Sequence, residues 1–327
     1  LPQKRFTDAV CAWYKKRYGL TLDPQAVRHS QGLMTGALWM ILNAYTRPGD
    51  KILVQPPVYN TFGIVIRGAG RFVENNDLIL KDGRYEIDFD DLEKKTADPR
   101  VRILLVCNPA NPVGRVWTRE ELTRMYEICK KNHTLIVSDE IHGDIVYAPH
   151  RHIPYFSLSE EIADNVIVMG SPSKTFNLAC FYSAYVVIHN EELREQYGIV
   201  YEDYHFDYNY LGIEALITAY NDCEYYADQQ NEYLHKNIEL VKSFLAQAMP
   251  EVKVIEPEAT YLLWIDFRAW GLSSPELVRL FESAGVKLNS GANYGAPGDG
   301  FLRLNVATQT TVLEEALRRM KKAAENR

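Results

Sequence analysis

Short apolar runs alternate with segments of helical periodicity along the first two thirds of the chain. The runs predict strands, and the longest are apolar almost throughout, as in parallel strands that are covered on both faces. They are Lys51–Val54, Arg102–Cys107, Thr134–Ser138, Val166–Met169 and Ser183–Ile188, with shorter extended segments at Val27–His29 and Arg71–Val73. Between them, apolar residues recur every three or four positions, which predicts helices. These are Gln3–Tyr18, Met34–Tyr45, Tyr59–Gly68, Asp90–Lys95 and a helix that Thr118 caps and that ends near Lys131.

Alternation of this kind predicts an α/β fold, in which a parallel sheet carries helices on both faces. In such sheets, ligands bind at the carboxyl ends of the strands. The last third of the chain has a different pattern, with a long helical segment at Tyr210–Ala248. It is followed by strands at Val252–Ile255, Tyr261–Phe267 and Phe301–Val306 and by helices at Ser274–Ala284 and Thr311–Ala324. We therefore predict a large domain over residues 1–224 and a smaller α+β domain over residues 225–327.

Length and charge narrow the classes of function. The 327 residues suit two domains of roughly 150 residues each. With 36 Lys and Arg against 43 Asp and Glu, the formal net charge is −7, which argues against a nucleic-acid partner and against binding to acidic membranes. The longest apolar stretch, Leu178–Ile188, is too short to span a bilayer. Five scattered cysteines without a CxxC pair predict reduced thiols in a cytoplasm and no zinc or other metal site.

Two segments that directly follow predicted strands carry reactive side chains. Lys174 lies beside the hydroxyls of Ser171 and Ser173, so its amine could form a Schiff base with an aldehyde while the hydroxyls bind a phosphate. Asp139 follows the strand that begins at Thr134, and a carboxylate there can hold a heterocyclic nitrogen in its protonated form. An ordinary alternative stays open for each residue: a solvated loop lysine, and a helix cap or surface carboxylate.

Three further segments add candidate ligand-binding residues. The loop Asn108–Gly114 contains two Asn-Pro steps, where cis peptides can occur, and its stiffness fixes Asn111. Gly32 lies in a turn that opens a helix, where the first backbone N–H groups can bind phosphate. Arg303 lies on a predicted strand between apolar neighbours. A buried arginine needs an anion, which is either a carboxylate of the protein or the carboxylate of a substrate.

Taken together, these segments resemble pyridoxal 5′-phosphate (PLP) enzymes of the aspartate-aminotransferase fold. The order agrees: a phosphate turn, an NPxNPxG loop, Asp139 at a strand end, and then Lys174. The resemblance is closer to the cystathionine β-lyase and cystalysin branch, the MalY/PatB-type C–S lyases, and it extends over nearly the whole chain. The segments that carry it are Pro57–Tyr59, Asn108–Trp117, Ser138–His142, Ser171–Asn177, Thr260–Asp266 and Gly300–Asn305.

The resemblance implies PLP as the cofactor and fold type I, with a mostly parallel sheet in the large domain and a smaller C-terminal α+β domain. By this resemblance, Lys174 forms the Schiff base and moves the Cα proton, and Asp139 pairs with the pyridine nitrogen. Tyr59 stacks on the pyridine ring, while Asn111 and His142 lie near the ring hydroxyl oxygen. The remaining roles are phosphate binding by Gly32, Leu33, Met34, Ser171 and Ser173, and binding of the substrate carboxylate by Arg303 together with Asn111.

The function that the resemblance implies is a C–S β-lyase. It would cleave cystathionine, cysteine or cysteine conjugates to pyruvate, ammonia and a thiol, and it would act in the cytoplasm as a homodimer on a small amino-acid substrate. An aminotransferase of the same fold stays open as an alternative, because transamination shares the first chemical steps. A non-catalytic homologue that acts by protein binding is a third hypothesis.

Three features depart from the family pattern. Family members carry several dozen residues before the position of Leu1, including a Gly-Tyr-Thr whose Tyr reaches the partner's phosphate site, so we expect the chain to lack this segment. Cys180 and Phe181 stand where small or flexible residues are usual, close to the expected site. The segment Asp222–Tyr226 replaces a Gly-x-Trp-Leu pattern. These departures predict an altered substrate preference or an impaired activity.

Overall fold

The computed structural model describes residues 2–204 and 208–326. Its strands are β1 Val27–Gln31, β2 Lys51–Val54, β3 Phe72–Asn75, β4 Ile79–Lys81, β5 Arg84–Glu86, β6 Val101–Cys107, β7 Leu135–Asp139, β8 Val166–Gly170, β9 Ser183–Ile188, β10 Lys253–Val254, β11 Leu262–Asp266, β12 Asn289–Ser290 and β13 Phe301–Asn305. Its helices are α1 Pro2–Tyr18, α2 Trp39–Tyr45, α3 Thr61–Gly68, α4 Phe89–Thr96, α5 Arg119–Lys131, α6 Glu160–Ala163, α7 Glu191–Asp203, α8 Tyr210–Asp222, α9 Glu224–Ala248, α10 Ser274–Ser283 and α11 Thr310–Glu325.

The larger sheet has the strand order β1-β9-β8-β7-β6-β2-β3. The strands from β8 to β3 run parallel, whereas β9 is antiparallel to both of its neighbours. The expectation of a mostly parallel sheet is therefore confirmed, and β9 is the strand that departs from parallel pairing. Parallel neighbours need a crossover, which is usually helical, but only the loop of residues 171–182 joins β8 to β9. Because this connection is short, β9 begins at the same end of the sheet at which β8 ends, and it therefore runs in the opposite direction.

Successive residues of the central strands face two separate hydrophobic cores. In β6, Leu104 and Val106 pack into a core that also receives α1, α5 and α8. Ile103 and Leu105 pack on the opposite face, with α2, α3 and α7. All four side chains are fully buried, which explains why β6 is apolar almost throughout its length. The prediction of helices on both faces is confirmed.

A smaller sheet, with the antiparallel order β10-β11-β13-β12, follows in the chain. Ile265 of β11 and Leu302 of β13 share a third core with Leu234 of α9, Phe281 of α10 and Leu317 of α11. This unit confirms the expected smaller α+β region at the C-terminal end.

The prediction of one long helix over Tyr210–Ala248 is wrong, because the chain breaks at Cys223 into α8 and α9. The physical reason is that most buried residues of the two helices pack into different hydrophobic cores. Ile213 of α8 packs into the core shared with α1, and Leu234 of α9 packs into the core of the smaller sheet. The division into domains at residues 224–225 stays a prediction, which the neighbouring break supports.

The elements that lie outside the sequence-based expectations include the hairpin of β4 and β5, helices α6 and α7, and strand β12. The helix predicted to begin at Met34 opens one residue earlier, with a π-helical segment over Leu33–Leu38 that continues into α2. Within residues 2–204 and 208–326, no helix is both long enough and apolar enough to cross a membrane.

Candidate active site

Polar side chains gather where the central strands of the larger sheet end. Cys107 at the end of β6 pairs in register with Asp139 at the end of β7, which in turn pairs with Met169 of β8. The residues at and beyond these strand ends line a cavity of about 470 Å³, and β11 and β13 of the smaller sheet add further lining residues. The structure brings every predicted site residue to this cavity: Gly32, Leu33, Met34, Tyr59, Asn111, Asp139, His142, Ser171, Ser173, Lys174 and Arg303.

One part of the cavity presents uncharged hydrogen-bond donors. Gly32 has a φ of 79°, a left-handed conformation that favours glycine, and a Cβ atom there would lie 3.2 Å from the ring of Tyr182. Because Gly32 precedes a helical segment, the first N–H groups of that segment have no helical acceptor. Ser171 Oγ donates to the carbonyl oxygen of Ser183 at 2.7 Å and lies 2.9 Å from Ser173 Oγ. Such N–H and hydroxyl groups suit an anion with several oxygens.

Asp139 contributes a buried carboxyl group to the cavity. Burial raises its pKa to about 7, and the charge of Glu140 acts in the same direction. A hydrogen bond from the Ile141 N–H, at 3.1 Å, and the charge of Lys174 oppose this rise. A carboxylate in such surroundings is stabilised by a cationic partner. The burial argues against the alternative of a surface carboxylate.

Lys174 is half-buried in the loop between β8 and β9. Burial lowers its pKa, the charge of Asp139 opposes this, and the charge of Arg303 adds to it. Within the described part of the chain, its amine has no hydrogen-bond or ion-pair partner. A lysine with a lowered pKa is more often neutral than a solvated one, and a nucleophile or general base needs the neutral amine. The surroundings of Lys174 therefore argue against a solvated loop lysine.

Arg303 reaches the cavity from β13 and has no carboxylate partner among residues 2–204 and 208–326. Its guanidinium donates to the side-chain amide oxygens of Asn111, at 3.0 Å, and Asn289, at 3.1 Å, and lies 5.0 Å from the ring centroid of Tyr294. Its Nε is buried without a partner in the described chain. Neutral amides leave the positive charge uncompensated, so of the two alternatives for Arg303 the geometry favours an anion from outside the protein.

Asn111 lies in the loop after β6, and both Asn-Pro peptide bonds of that loop are cis. Because its amide oxygen accepts from Arg303, its NH₂ group is what remains for a ligand. His142 is buried, and burial lowers its pKa to about 3, with the charges of Lys174 and Arg303 acting in the same direction. Its Nδ1 has no partner among the described residues. Tyr59 also lines the cavity.

Sequence reasoning missed two aromatic side chains of this cavity. Tyr261 precedes β11, and its ring contacts that of His142 with centroids 5.6 Å apart. The signal that could have identified Tyr261 is its position within the segment Thr260–Asp266, which carries part of the family resemblance. Tyr182 had no signal, because it meets Gly32 from a distant part of the chain. Neither side chain of the unusual pair Cys180-Phe181 lines the cavity, although the next residue, Tyr182, does.

The chain is similar to proteins of one family over nearly its whole length. Residues 2–320 match the family described as aminotransferase class I and II. Cystathionine beta-lyase PatB of Bacillus subtilis (strain 168) is 39% identical over 324 residues, which are 98% of this chain and 84% of that protein.

Solved structures give the same result. Cystalysin from Treponema denticola, which contains a pyridoxal 5′-phosphate cofactor, matches with a TM-score of 0.95 and 32% identity, over 98% of this chain and 82% of that one. A PLP-bound putative aminotransferase from Clostridium difficile 630 matches with a TM-score of 0.94 and 36% identity, again over 98% and 82%. These matches confirm the expected fold type I.

Proposed function

The chain belongs to the aminotransferase class I and II family, and from this premise we propose that it is a PLP-dependent C–S β-lyase. It cleaves cystathionine, cysteine or a cysteine conjugate to pyruvate, ammonia and a thiol. The observation that carries the proposal is one cavity that holds an unpaired Lys174 amine, a buried Asp139 carboxyl group and an Arg303 without a carboxylate partner in the described chain. The similarity to cystathionine beta-lyase PatB and cystalysin directs the choice of reaction.

The cavity fits PLP by the chemistry of its donors and acceptors. Among the described residues Asp139 has no ion-pair partner, and a protonated pyridine nitrogen would supply a cationic one. His142 Nδ1 is buried, and neither it nor the NH₂ group of Asn111 has a hydrogen-bond partner in the described chain, so both suit the ring hydroxyl oxygen. Tyr59 supplies an aromatic face for the pyridine ring. The proposed phosphate ligands are the backbone of Gly32, Leu33 and Met34 and the hydroxyls of Ser171 and Ser173.

When bound, PLP acts as an electron sink for the charge that develops at the substrate Cα. Arg303 binds the substrate α-carboxylate, since its own charge is uncompensated, and thereby orients Cα. Lys174, with its lowered pKa, accepts the Cα proton as a neutral amine. His142 stays neutral and adds no positive charge beside Lys174. The Cβ–S bond then breaks, the thiol leaves with a proton, and water completes the conversion to pyruvate and ammonium.

An aminotransferase of the same fold is the second candidate. The favouring observation is the similarity to the PLP-bound putative aminotransferase, at 36% identity. The same lysine, carboxylate and arginine serve both reactions up to loss of the Cα proton. The non-catalytic hypothesis is less supported, because Lys174, Asp139 and Arg303 are all present and gathered in one cavity.

A spectrum and an assay test the proposal together. With PLP added, the protein is expected to show the visible absorption band of a lysine-bound cofactor and to release pyruvate from a cysteine conjugate without any keto acid. Lys174→Ala should lose both, whereas Lys236→Ala, on the exposed face of α9, should keep both. A band that survives in Lys174→Ala contradicts the assignment of the lysine. Exchange that depends on a keto acid, without pyruvate release, would favour the aminotransferase.

We also propose a homodimer. Its support is a set of exposed large apolar side chains, among them Tyr182, Ile199, Tyr204, Tyr210 and Leu211. One of them, Tyr182, also lines the site cavity, and exposed apolar side chains are stabilised when a partner covers them. The mass in solution tests the dimer. The scattered cysteines, which form no disulfide within the described chain, support the proposal that the protein works in the cytoplasm.

A further inference from the structure

Lys174 also lines a second cavity, of about 580 Å³. It shares Ser173, Lys174, Ala179, Tyr261 and Asn305 with the site cavity, so the two cavities adjoin at these residues. From that shared wall it extends between α9 and the residues that follow β13. We call it the side cavity.

The side cavity is polar but almost uncharged. Apart from Lys174, none of the described residues that line it has an ionised side chain at neutral pH. Its polar side chains are the amides of Asn177, Gln229, Gln230, Asn305 and Gln309, the hydroxyl of Thr308 and the phenols of Tyr226 and Tyr233, besides Ser173 and Tyr261 of the shared wall. Within the described chain, the side chains of Gln229 and Gln230 make no hydrogen bonds, so their donors and acceptors are available.

Contacts with neighbouring residues hold Tyr226 and Tyr233, two aromatic side chains of the side cavity, in place. The ring of Tyr226 is nearly parallel to that of Phe176, with the centroids 6.0 Å apart. The hydroxyl of Tyr233 accepts a hydrogen bond from the Thr310 N–H at 2.9 Å, which ties α9 to the start of α11. The side cavity therefore offers fixed aromatic faces together with amides that are free to adapt.

The position of the side cavity determines which part of a substrate can enter it. In the proposed function, Arg303 holds the α-carboxylate, Lys174 takes the Cα proton and the amino nitrogen faces the cofactor, so three of the four substituents of Cα are already directed. The remaining substituent is Cβ with its sulfur. Tyr261 and Asn305 line both the site cavity and the side cavity. The side cavity is therefore the neighbouring space in which the group attached to sulfur can be placed.

Resting on the proposed function, we propose that the side cavity binds the substituent on the substrate sulfur and selects uncharged substituents over ionised ones. The preferred substrates are then cysteine conjugates of neutral thiols, either aromatic or hydrogen-bonding. In cystathionine the departing half carries an ammonium and a carboxylate. Moving these charges from water into a cavity that offers no side-chain counter-ion for the carboxylate except Lys174, and none for the ammonium, costs binding energy that amides restore only in part.

Two conjugates of similar size test the inference. S-(2-hydroxyethyl)-L-cysteine is neutral beyond sulfur, S-carboxymethyl-L-cysteine is anionic, and L-cystathionine is the zwitterionic comparison. We expect kcat/KM for pyruvate release to be about tenfold or more higher for the hydroxyethyl conjugate than for the other two. Dissociation constants, read from the change in the visible spectrum of the bound cofactor, should follow the same order.

Variants that add a positive charge test whether the side cavity causes the preference for uncharged conjugates. Gln229→Arg and, from another element, Gln309→Arg place a cation at exposed positions of the side cavity, so the fold should tolerate both. Each should reduce the preference for the hydroxyethyl over the carboxymethyl conjugate to about twofold or reverse it. Gln247→Arg is the matched control, because it adds the same charge at an exposed position of α9 about 25 Å farther along the helix. It should leave the preference unchanged.

The outcomes separate the inference from the proposed function. Equal or tighter binding of the ionised conjugates by the unaltered protein, or a preference that neither Gln229→Arg nor Gln309→Arg changes, would overturn the role of the side cavity. Absence of pyruvate from every conjugate would overturn the proposed lyase function. In that case the dissociation constants still rank the conjugates and so support or overturn the inference.

Discussion

Asp139 carries an electrostatic cost in the cofactor-free protein that a cationic ligand removes. Burial holds its pKa at about 7 instead of the usual 3.8. As pH rises from about 4 to 7, the unfolded chain releases this proton before the folded chain does, so the stability of the folded state falls. Above pH 7 the full penalty is present, and the pKa rise corresponds to at most about 4 kcal/mol.

Asp139→Asn is therefore expected to stabilise the cofactor-free protein at pH 8 and to do so much less at pH 5, where the wild-type carboxyl group is protonated. Urea denaturation at the two pH values measures this difference. Asp222→Asn, at an exposed position, is the control and should change neither value. With PLP bound, Asp139→Asn should lower the lyase activity, because the amide cannot hold the pyridine nitrogen protonated. An equal gain in stability at both pH values would contradict the assigned titration.

At the scale of residues, the sequence predicts those site residues that follow apolar strands. Asp139 and Lys174 are recognisable because a polar side chain directly after a buried strand lies at the ligand-binding edge of the sheet. The alternatives for Arg303 could not be separated from the sequence, since only the folded chain reveals which anions lie nearby. Tyr182 could not be found, because its contact with Gly32 joins residues that are far apart in the chain.

At the scale of elements, the Asp144 carboxylate links helix α1 to the loop of Lys174 by hydrogen bonds. Asp144 accepts hydrogen bonds from Trp13 Nε1, at 3.2 Å, and Tyr18 OH, at 2.8 Å, both on α1. It also accepts one from Thr175 Oγ1, at 3.0 Å. Since Thr175 adjoins Lys174, the first helix of the chain helps to position the reactive amine.

Thr175→Val removes this donor with little change in volume, so we expect it to lower the free energy of unfolding by about 1–3 kcal/mol. It should lower kcat more than it raises KM, because Arg303 still binds the substrate carboxylate. Thr175→Ser keeps a hydroxyl and should restore most of both quantities. Urea denaturation and steady-state kinetics measure them. If the valine and serine variants behave alike, the hydrogen bond to Asp144 does not position the loop.

Element types were predictable where the local pattern decides them, and element directions were not. The apolar run of β9 predicts a strand, but its reversal follows from the short loop before it, which carries the lysine. The break between α8 and α9 was missed because helical periodicity is present on both sides of Cys223. The different cores against which most of their buried residues pack distinguish the two helices only in the folded chain.

At the scale of the whole molecule, a buried charge cluster joins the loop after β6 to the segment that enters the smaller sheet. Glu258 forms ion pairs with Arg115, at 3.2 Å, and Arg84, at 3.0 Å. It also accepts a hydrogen bond from the Val116 N–H at 2.7 Å, and its own N–H donates to the carbonyl oxygen of Gly114 at 2.9 Å. Since the loop also carries Asn111, which accepts a hydrogen bond from Arg303, the cluster holds together the two parts of the chain that this hydrogen bond spans.

Glu258→Gln removes one of the two carboxylate partners of the buried Arg115, which keeps Glu121, and the ion pair of the exposed Arg84. We therefore expect a loss of about 3 kcal/mol in the free energy of unfolding near pH 7. Burial alone would raise the pKa of Glu258, but the Val116 hydrogen bond and the charges of Arg115 and Arg84 hold it below the usual 4.5. A lowered pKa stabilises the folded state above pH 4.5, and this contribution is lost as pH falls further. The difference between wild type and variant should therefore shrink below pH 4.5.

The same substitution should raise KM for a cysteine conjugate, because the hydrogen bond between Asn111 and Arg303 spans the two parts that Glu258 joins. Glu282→Gln, at an exposed position of α10, is the control and should leave both stability and KM unchanged. Urea denaturation from pH 4 to pH 7, with steady-state kinetics at pH 7, provides both measurements. If Glu258→Gln is destabilised but keeps an unaltered KM, the charge cluster contributes to stability alone. The alignment of the proposed substrate-carboxylate site would then not depend on Glu258.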